Sequence, residues 1–148
     1  MVVLFVKPAE TECAIILAFK RENKVYIHDA FMFTGTHEYE KYILDCIKNE
    51  SDKYPISKVI FDASVFSSEG KYLRGSLDLD VSIYVNKKKF EYRALNQLVD
   101  IKKMIFRKTQ TENYARFMNV LGSYINEYNI AIDILADVSR YFNYRGSE

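Results

Sequence analysis

The sequence predicts an α/β domain on a mixed sheet, with an antiparallel three-strand meander continued by parallel strands and flanked by helices. Three observations carry that expectation. Residues 2–33 contain three apolar runs rich in β-branched and aromatic residues, separated only by short polar turns, which is the pattern of consecutive hairpins. Beyond Thr36 the period lengthens toward 3.6, and later strand-like runs return only after helical stretches, so their connections are crossovers between parallel strands. With 148 residues and 49% apolar composition the chain has enough material for one core.

Val2 to Val6 is a continuous apolar run stopped by Pro8, as expected of a buried central strand. The stretch Pro8 to Thr11 reads as a turn, Cys13 to Phe19 as the second strand, Lys20 to Asn23 as a hairpin turn and Lys24 to Phe33 as the third strand. Thr36 is placed to cap a helix running to about Glu50, whose Tyr39, Ile43, Cys46 and Ile47 share one face. Lys58 to Asp62 is a short buried strand ending in an acid, and Asp78 to Val85 is another. A helix is expected from Lys87 to about Ile101, an edge strand over Met104 to Phe106, and two closing helices from Glu112 to Ile125 and from Ile130 to Phe142. Residues 1–143 are expected to form one domain and residues 144–148 a frayed tail, the whole being a piece cut from a longer chain.

Composition narrows the function classes. Lys and Arg total 21 against 20 Asp and Glu, so a net charge of +1 exerts no global pull on a polyanion and any nucleic-acid surface must be local. Cys13 and Cys46 stand in apolar stretches without a nearby Cys or His, which points to reduced core thiols and away from zinc or a disulfide framework. The opening apolar run is too short for a signal peptide, and no stretch approaches the roughly 20 apolar residues of a membrane helix. Pro8 to Glu12 has no glycine for close phosphate approach, which argues against a dinucleotide site after the first strand. His28 and His37 read as surface or strand residues. No cofactor is implied.

The element order is that of the ribonuclease-H-like layout. Nucleases on that layout hold two metal ions about 4 Å apart with acids at the end of the first strand, at the end of the parallel strand beside it, and on a late helix. Asp62 fits the second position and Asp133 the third, although a strand-end Asp and an Asp in the first turn of a helix also have ordinary structural uses. Asp137 reads as a solvated helix residue or a partner for Arg140 or Tyr141. Two basic clusters, Lys87, Lys88, Lys89 with Arg93 and Lys102, Lys103 with Arg107 and Lys108, are interleaved with Phe90, Tyr92 and Phe106 and are candidates for phosphate contacts as well as for a solvated face.

The runs Val3 to Ala18, Val25 to Phe31, Val59-Ile-Phe-Asp62 and Asp133-Ile-Leu-Ala-Asp-Val-Ser-Arg-Tyr-Phe142, in that order and spacing, resemble the C-terminal nuclease domain of the large terminase subunit of tailed phages. The resemblance implies a nuclease-like domain of a viral DNA-packaging motor that contacts DNA or a structural RNA, other motor subunits and the portal in the host cytoplasm. It also implies a packaging ATPase as the parent chain, although these residues contain no Gly-rich Lys-Ser/Thr loop. Where the family's first-strand Asp belongs, this chain has Lys7, directly before Pro8. An ammonium there repels a divalent ion and is placed to pair with Asp62 and Asp133, which implies no intact catalytic set and a vestigial domain that is not an enzyme, as in phi29-like phages. The alternative is an active two-metal endonuclease with Glu10 or Glu12 replacing the missing Asp, and a third reading is a structural spacer that touches only protein.

Overall fold

The computed structural model describes residues 2–9, 11–34, 39–63, 74–85, 97–107, 111–124 and 128–146. Its strands are β1 (Val2–Pro8), β2 (Glu12–Arg21), β3 (Lys24–Thr34), β4 (Ile56–Asp62), β5 (Val81–Tyr84) and β6 (Ile105–Phe106). Its helices are α1 (Tyr39–Lys53), α2 (Leu98–Lys102), α3 (Glu112–Gly122) and α4 (Ile130–Gly146). The strands form one sheet in the order β5-β4-β1-β2-β3-β6. The β1-β2 and β2-β3 pairs are antiparallel, whereas β1-β4, β4-β5 and β3-β6 are parallel. The mixed sheet expected from the change of period is therefore present.

Strand β1 reads as unbroken apolar sequence because both of its faces are covered. Val3 and Phe5 belong to the core shared with α3 and α4, while Leu4 and Val6 belong to the core shared with α1. Each fully buried side chain of this size contributes roughly 1.5–3 kcal/mol. Phe5 is 1% exposed and packed edge-on against Tyr141 at 5.6 Å, and Phe5→Ala should weaken the α4 layer by about 3–5 kcal/mol.

Several boundaries differ from the sequence expectation. The β2-β3 turn is only Glu22 and Asn23, both at positive φ (52° and 66°), because Lys20 and Arg21 still pair with Val25 and Lys24; this is the backbone of a two-residue hairpin whose twist matches the strands. The fifth strand starts at Val81 and not at Asp78; residues 78–79 form a bend, and Asp78 and Asp80 around it suit a turn better than a ladder. Helix α4 continues past Phe142 to Gly146. Of the helix expected over 87–101, the described part is α2, and the Thr36 cap lies outside the described residues.

Candidate functional site

Alternation along β1 puts Lys7 on the same face as Val3 and Phe5, toward α4. Along β4 the same alternation puts Asp62 on the face of Ile60, also toward α4. Strands β1 and β4 run parallel with Val6 opposite Phe61, so Lys7 and Asp62 emerge side by side at the carboxyl end of the sheet. The third member comes from α4. Asn129 caps that helix, its Oδ1 accepting from Ile132 N–H at 3.1 Å, and its Nδ2 donates to the Val120 carbonyl at the end of α3 at 2.7 Å. The cap fixes the first turn, and with it Asp133, which is fully buried over the sheet end.

The Lys7 ammonium donates to Asp62 Oδ2 at 2.6 Å and lies 3.0 Å from Asp133 Oδ2. All three side chains are buried, at 1%, 2% and 0% exposure. One turn further along α4, Asp137 accepts from the Tyr84 hydroxyl at 2.9 Å and forms an ion pair with Arg140. Arg140 Nη2 also donates to the Tyr84 hydroxyl at 2.8 Å. Two cations therefore face three carboxyl groups.

Burial works to lower the pKa of Lys7, but the charges of Asp133, Asp137 and Asp62 outweigh it and hold the ammonium above its usual 10.5. Asp137 is shifted the other way. Burial, then the hydrogen bond with Asp62 and its charge, push this carboxyl well above the ordinary range, against the pull of Lys7 and Arg140. Burial and the Asp137 charge likewise raise the Tyr84 phenol, which stays a hydrogen-bond donor at neutral pH.

The two-metal centre expected of this layout does not fit these residues as they stand. Lys7 Nζ occupies the space between two of the acids at ion-pair distance, and among the described residues no group of three or more His, Cys, Asp or Glu side chains is placed to hold a metal. Glu12 stands at the first position of β2, two residues before Ala14, the partner of Lys7, and does not complete such a group. Glu10 lies outside the described residues.

The structure thus brings together Lys7, Asp62 and Asp133 as expected and adds Asp137, which is buried and not solvated, with Arg140 as its partner. Tyr84 escaped the sequence reading. The signal was its register opposite Asp62 on the parallel neighbour, which cannot be assigned until the start of β5 is known. Of the basic clusters, Lys87, Lys88, Lys89, Arg93 and Lys108 lie outside the described residues. Lys102, Lys103 and Arg107 are exposed, and they cluster beside β6, at the sheet edge opposite β4 and β5. Arg107 stands 3.2 Å from His28 Nε2. Cys13 and Cys46 are buried thiols outside any disulfide, and burial pushes the Cys46 thiol up to about 12.

This sheet order, with a cluster of acids where two parallel strands end under a late helix, defines a ribonuclease-H-like nuclease fold. Solved structures place it within that class. The large terminase of a thermophilic bacteriophage superposes with a TM-score of 0.63 at 16% identity, over 95% of this chain and 38% of that one. The human cytomegalovirus terminase nuclease domain, in its manganese-soaked form, gives 0.59 at 10% identity over 92% and 80%. The fowlpox virus resolvase in complex with Holliday junction DNA gives 0.58 at 14% over 97% and 99%. The chain therefore spans under two fifths of the phage terminase, and at these identities the likeness establishes the fold. No protein-family profile and no curated protein sequence matches the chain.

These neighbours overturn one expectation. The ammonium at position 7 implied a domain that is not an enzyme, yet the structures that share the fold are named as a terminase, a nuclease domain and a resolvase, and RuvC with its Holliday junction substrate is another. The chain shares its fold with these proteins, and the non-enzyme reading is withdrawn. Its error was to let one substituted position decide for the whole architecture.

Proposed function

We propose that this chain is the nuclease-type domain of a viral machine that packages double-stranded DNA, working in the host cytoplasm next to motor subunits and a portal. The carrying observation is the convergence of Lys7, Asp62 and Asp133 where β1 and β4 end beneath α4, on a fold shared with terminase nuclease domains. The share of the phage terminase left uncovered leaves room for an ATPase in the parent chain. Nucleic acid is engaged through phosphate contacts, with DNA and a structural RNA as the two polymers of suitable charge, and Lys102, Lys103 and Arg107 are the described members of the two basic clusters. The test is retention of a labelled duplex over a salt series. The expected affinity falls steeply with salt and the slope drops by about one for each phosphate-contacting cation removed. A domain that retains no duplex even at low salt refutes the reading.

A second reading assigns phosphodiester hydrolysis to the same centre, with Glu10 or Glu12 moving in to take the place of the missing first-strand acid. It is favoured by the names of the neighbours and by the position of Glu12, which alternation places on the Lys7 face of the sheet. Nicking of supercoiled plasmid that disappears in both Asp62→Asn and Glu12→Gln supports it. Nicking indifferent to both substitutions counts against it.

A further inference from the structure

Beside the acid centre, on the same face of the sheet, a cavity of about 330 Å³ lies between α4 and the edge strand β5. Its volume is at the small end of ligand pockets. Ile60 and Ser82 come from the strands, and Tyr84 and Tyr141 contribute aromatic rings. Both rings are fixed before any ligand arrives. Tyr84 is tied through its hydroxyl to Asp137 and Arg140, and Tyr141 packs edge-on against Phe5 at 5.6 Å and Phe142 at 5.1 Å. Two cations complete the lining, Arg140 on α4 and Lys58 on β4. Lys58 is only loosely engaged, 3.9 Å from the largely exposed Asp80, and such a pair yields readily to a better anion.

We propose that this cavity receives one unpaired nucleotide of a nucleic-acid strand, with the base against Tyr84 and Tyr141 over Ile60 and the phosphate between Lys58 and Arg140. The inference rests on the nucleic-acid reading above and deepens it by naming the form of polymer recognised next to the acids. Rigid aromatic rings beside cations suit a base and its phosphate, because any base offers a face for stacking while a phosphate asks only for positive charge. Asp137 borders both the cavity and the acid centre, so a strand seated here runs directly past Lys7, Asp62 and Asp133. A paired base is sealed inside its duplex and cannot enter, which separates this site from the duplex contacts assigned to the exposed cations.

The test compares an oligothymidylate of about twelve nucleotides with a blunt duplex of the same length, using the whole chain. Ser82→Trp fills the cavity and is expected to weaken single-strand binding about tenfold or more while changing duplex binding less than twofold. Lys58→Gln is expected to lower the salt slope for the single strand by about one and to leave the duplex slope unchanged. Photo-crosslinking of the unaltered protein to a strand carrying 5-bromouracil needs no variant to fold, and its adducts are expected on Tyr84 or Tyr141. Adducts confined to other segments, or single-strand affinity untouched by both substitutions, overturn the proposal, as they would for a cavity occupied by protein. If the native chain retains the duplex while the cavity fails these tests, only this inference falls. If it retains neither polymer, the nucleic-acid reading falls with it.

Discussion

The two faces of the sheet both bury carboxyl groups, but they differ in where the facing cation lies. On the α4 face, Asp62 and Asp133 share an ammonium as deeply buried as themselves. On the α1 face, Glu50 is 3% exposed, but its cation, Lys53, stands 3.6 Å away and is 62% exposed. In the first case desolvation is met by an internal counter-ion; in the second the facing cation, Lys53, stands near the solvent. Burial raises the pKa of Glu50, Lys53 lowers it, and Asp29 raises it again; Asp29 itself is raised by burial. The difference between the two faces is thus the depth of the cation, and the chain places its fully buried one, Lys7, at the carboxyl end of β1 and β4.

The largest effect should come from removing that cation. Lys7→Met keeps the volume and leaves two buried carboxyls facing each other, which should cost about 3–5 kcal/mol at neutral pH, read from urea unfolding. A loss below about 1 kcal/mol at pH 7 would mean that the two faces do not differ as described. Lys7→Asp tests the same centre through ions: in chelator it should be no more stable than Lys7→Met, and manganese should raise its Tm by more than it raises that of the native chain. Equal shifts would show that position 7 does not govern ion entry.

Asp62→Asn and Asp137→Asn should separate next. Asp62 holds the Lys7 charge directly, so its amide should cost about 2–3 kcal/mol. Asp137 is pushed toward the neutral form, first by burial and then by Asp62, so Asp137→Asn should cost about 1 kcal/mol or less at neutral pH. The sign for pH follows from the raised pKa. The contribution of Asp137 is fully present below the unfolded carboxyl range, near 3.9, and is lost as pH rises through the folded value, whereas the asparagine variant lacks that slope. If the stability difference between the native chain and Asp137→Asn does not change with pH, Asp137 is not held protonated.

The unequal legibility of the two faces has a physical cause. Lys7, Asp62 and Asp133 were readable because each sits at a terminus that the sequence marks: a strand stopped by Pro8, a strand ending in Asp62, and the first turn of a helix. Alternation then fixes which way each side chain points. Glu50 stands seven, four and three residues after Ile43, Cys46 and Ile47, so period places it on their buried face, but an acid at the end of an apolar stripe is read as solvated by its residue type. Tyr84 and the cavity were illegible for another reason, because they depend on the register of β4 against β5 and on residues 78–79 bending instead of pairing. The Asn129 cap was legible in principle, as an Asn directly before an apolar helix.

The smallest expected effects are on the α1 face. Lys53→Met removes a mostly exposed partner, so about 0.5 kcal/mol or less should be lost, and that only where Glu50 is ionised. Glu50→Gln should move stability in the opposite direction, by about 1 kcal/mol, because an amide needs no proton to remain buried. With the folded pKa of Glu50 raised, its stabilising proton is fully bound below about pH 4.3, the unfolded value, and its contribution is lost as pH rises through the folded pKa. The gain from Glu50→Gln should therefore be near zero or negative at pH 4 and largest at pH 8. The check is a pair of urea titrations at those two pH values for the native chain and both variants. A gain that is equal at the two pH values would mean that Glu50 is charged in the fold and that Lys53, despite its exposure, serves it as Lys7 serves Asp62.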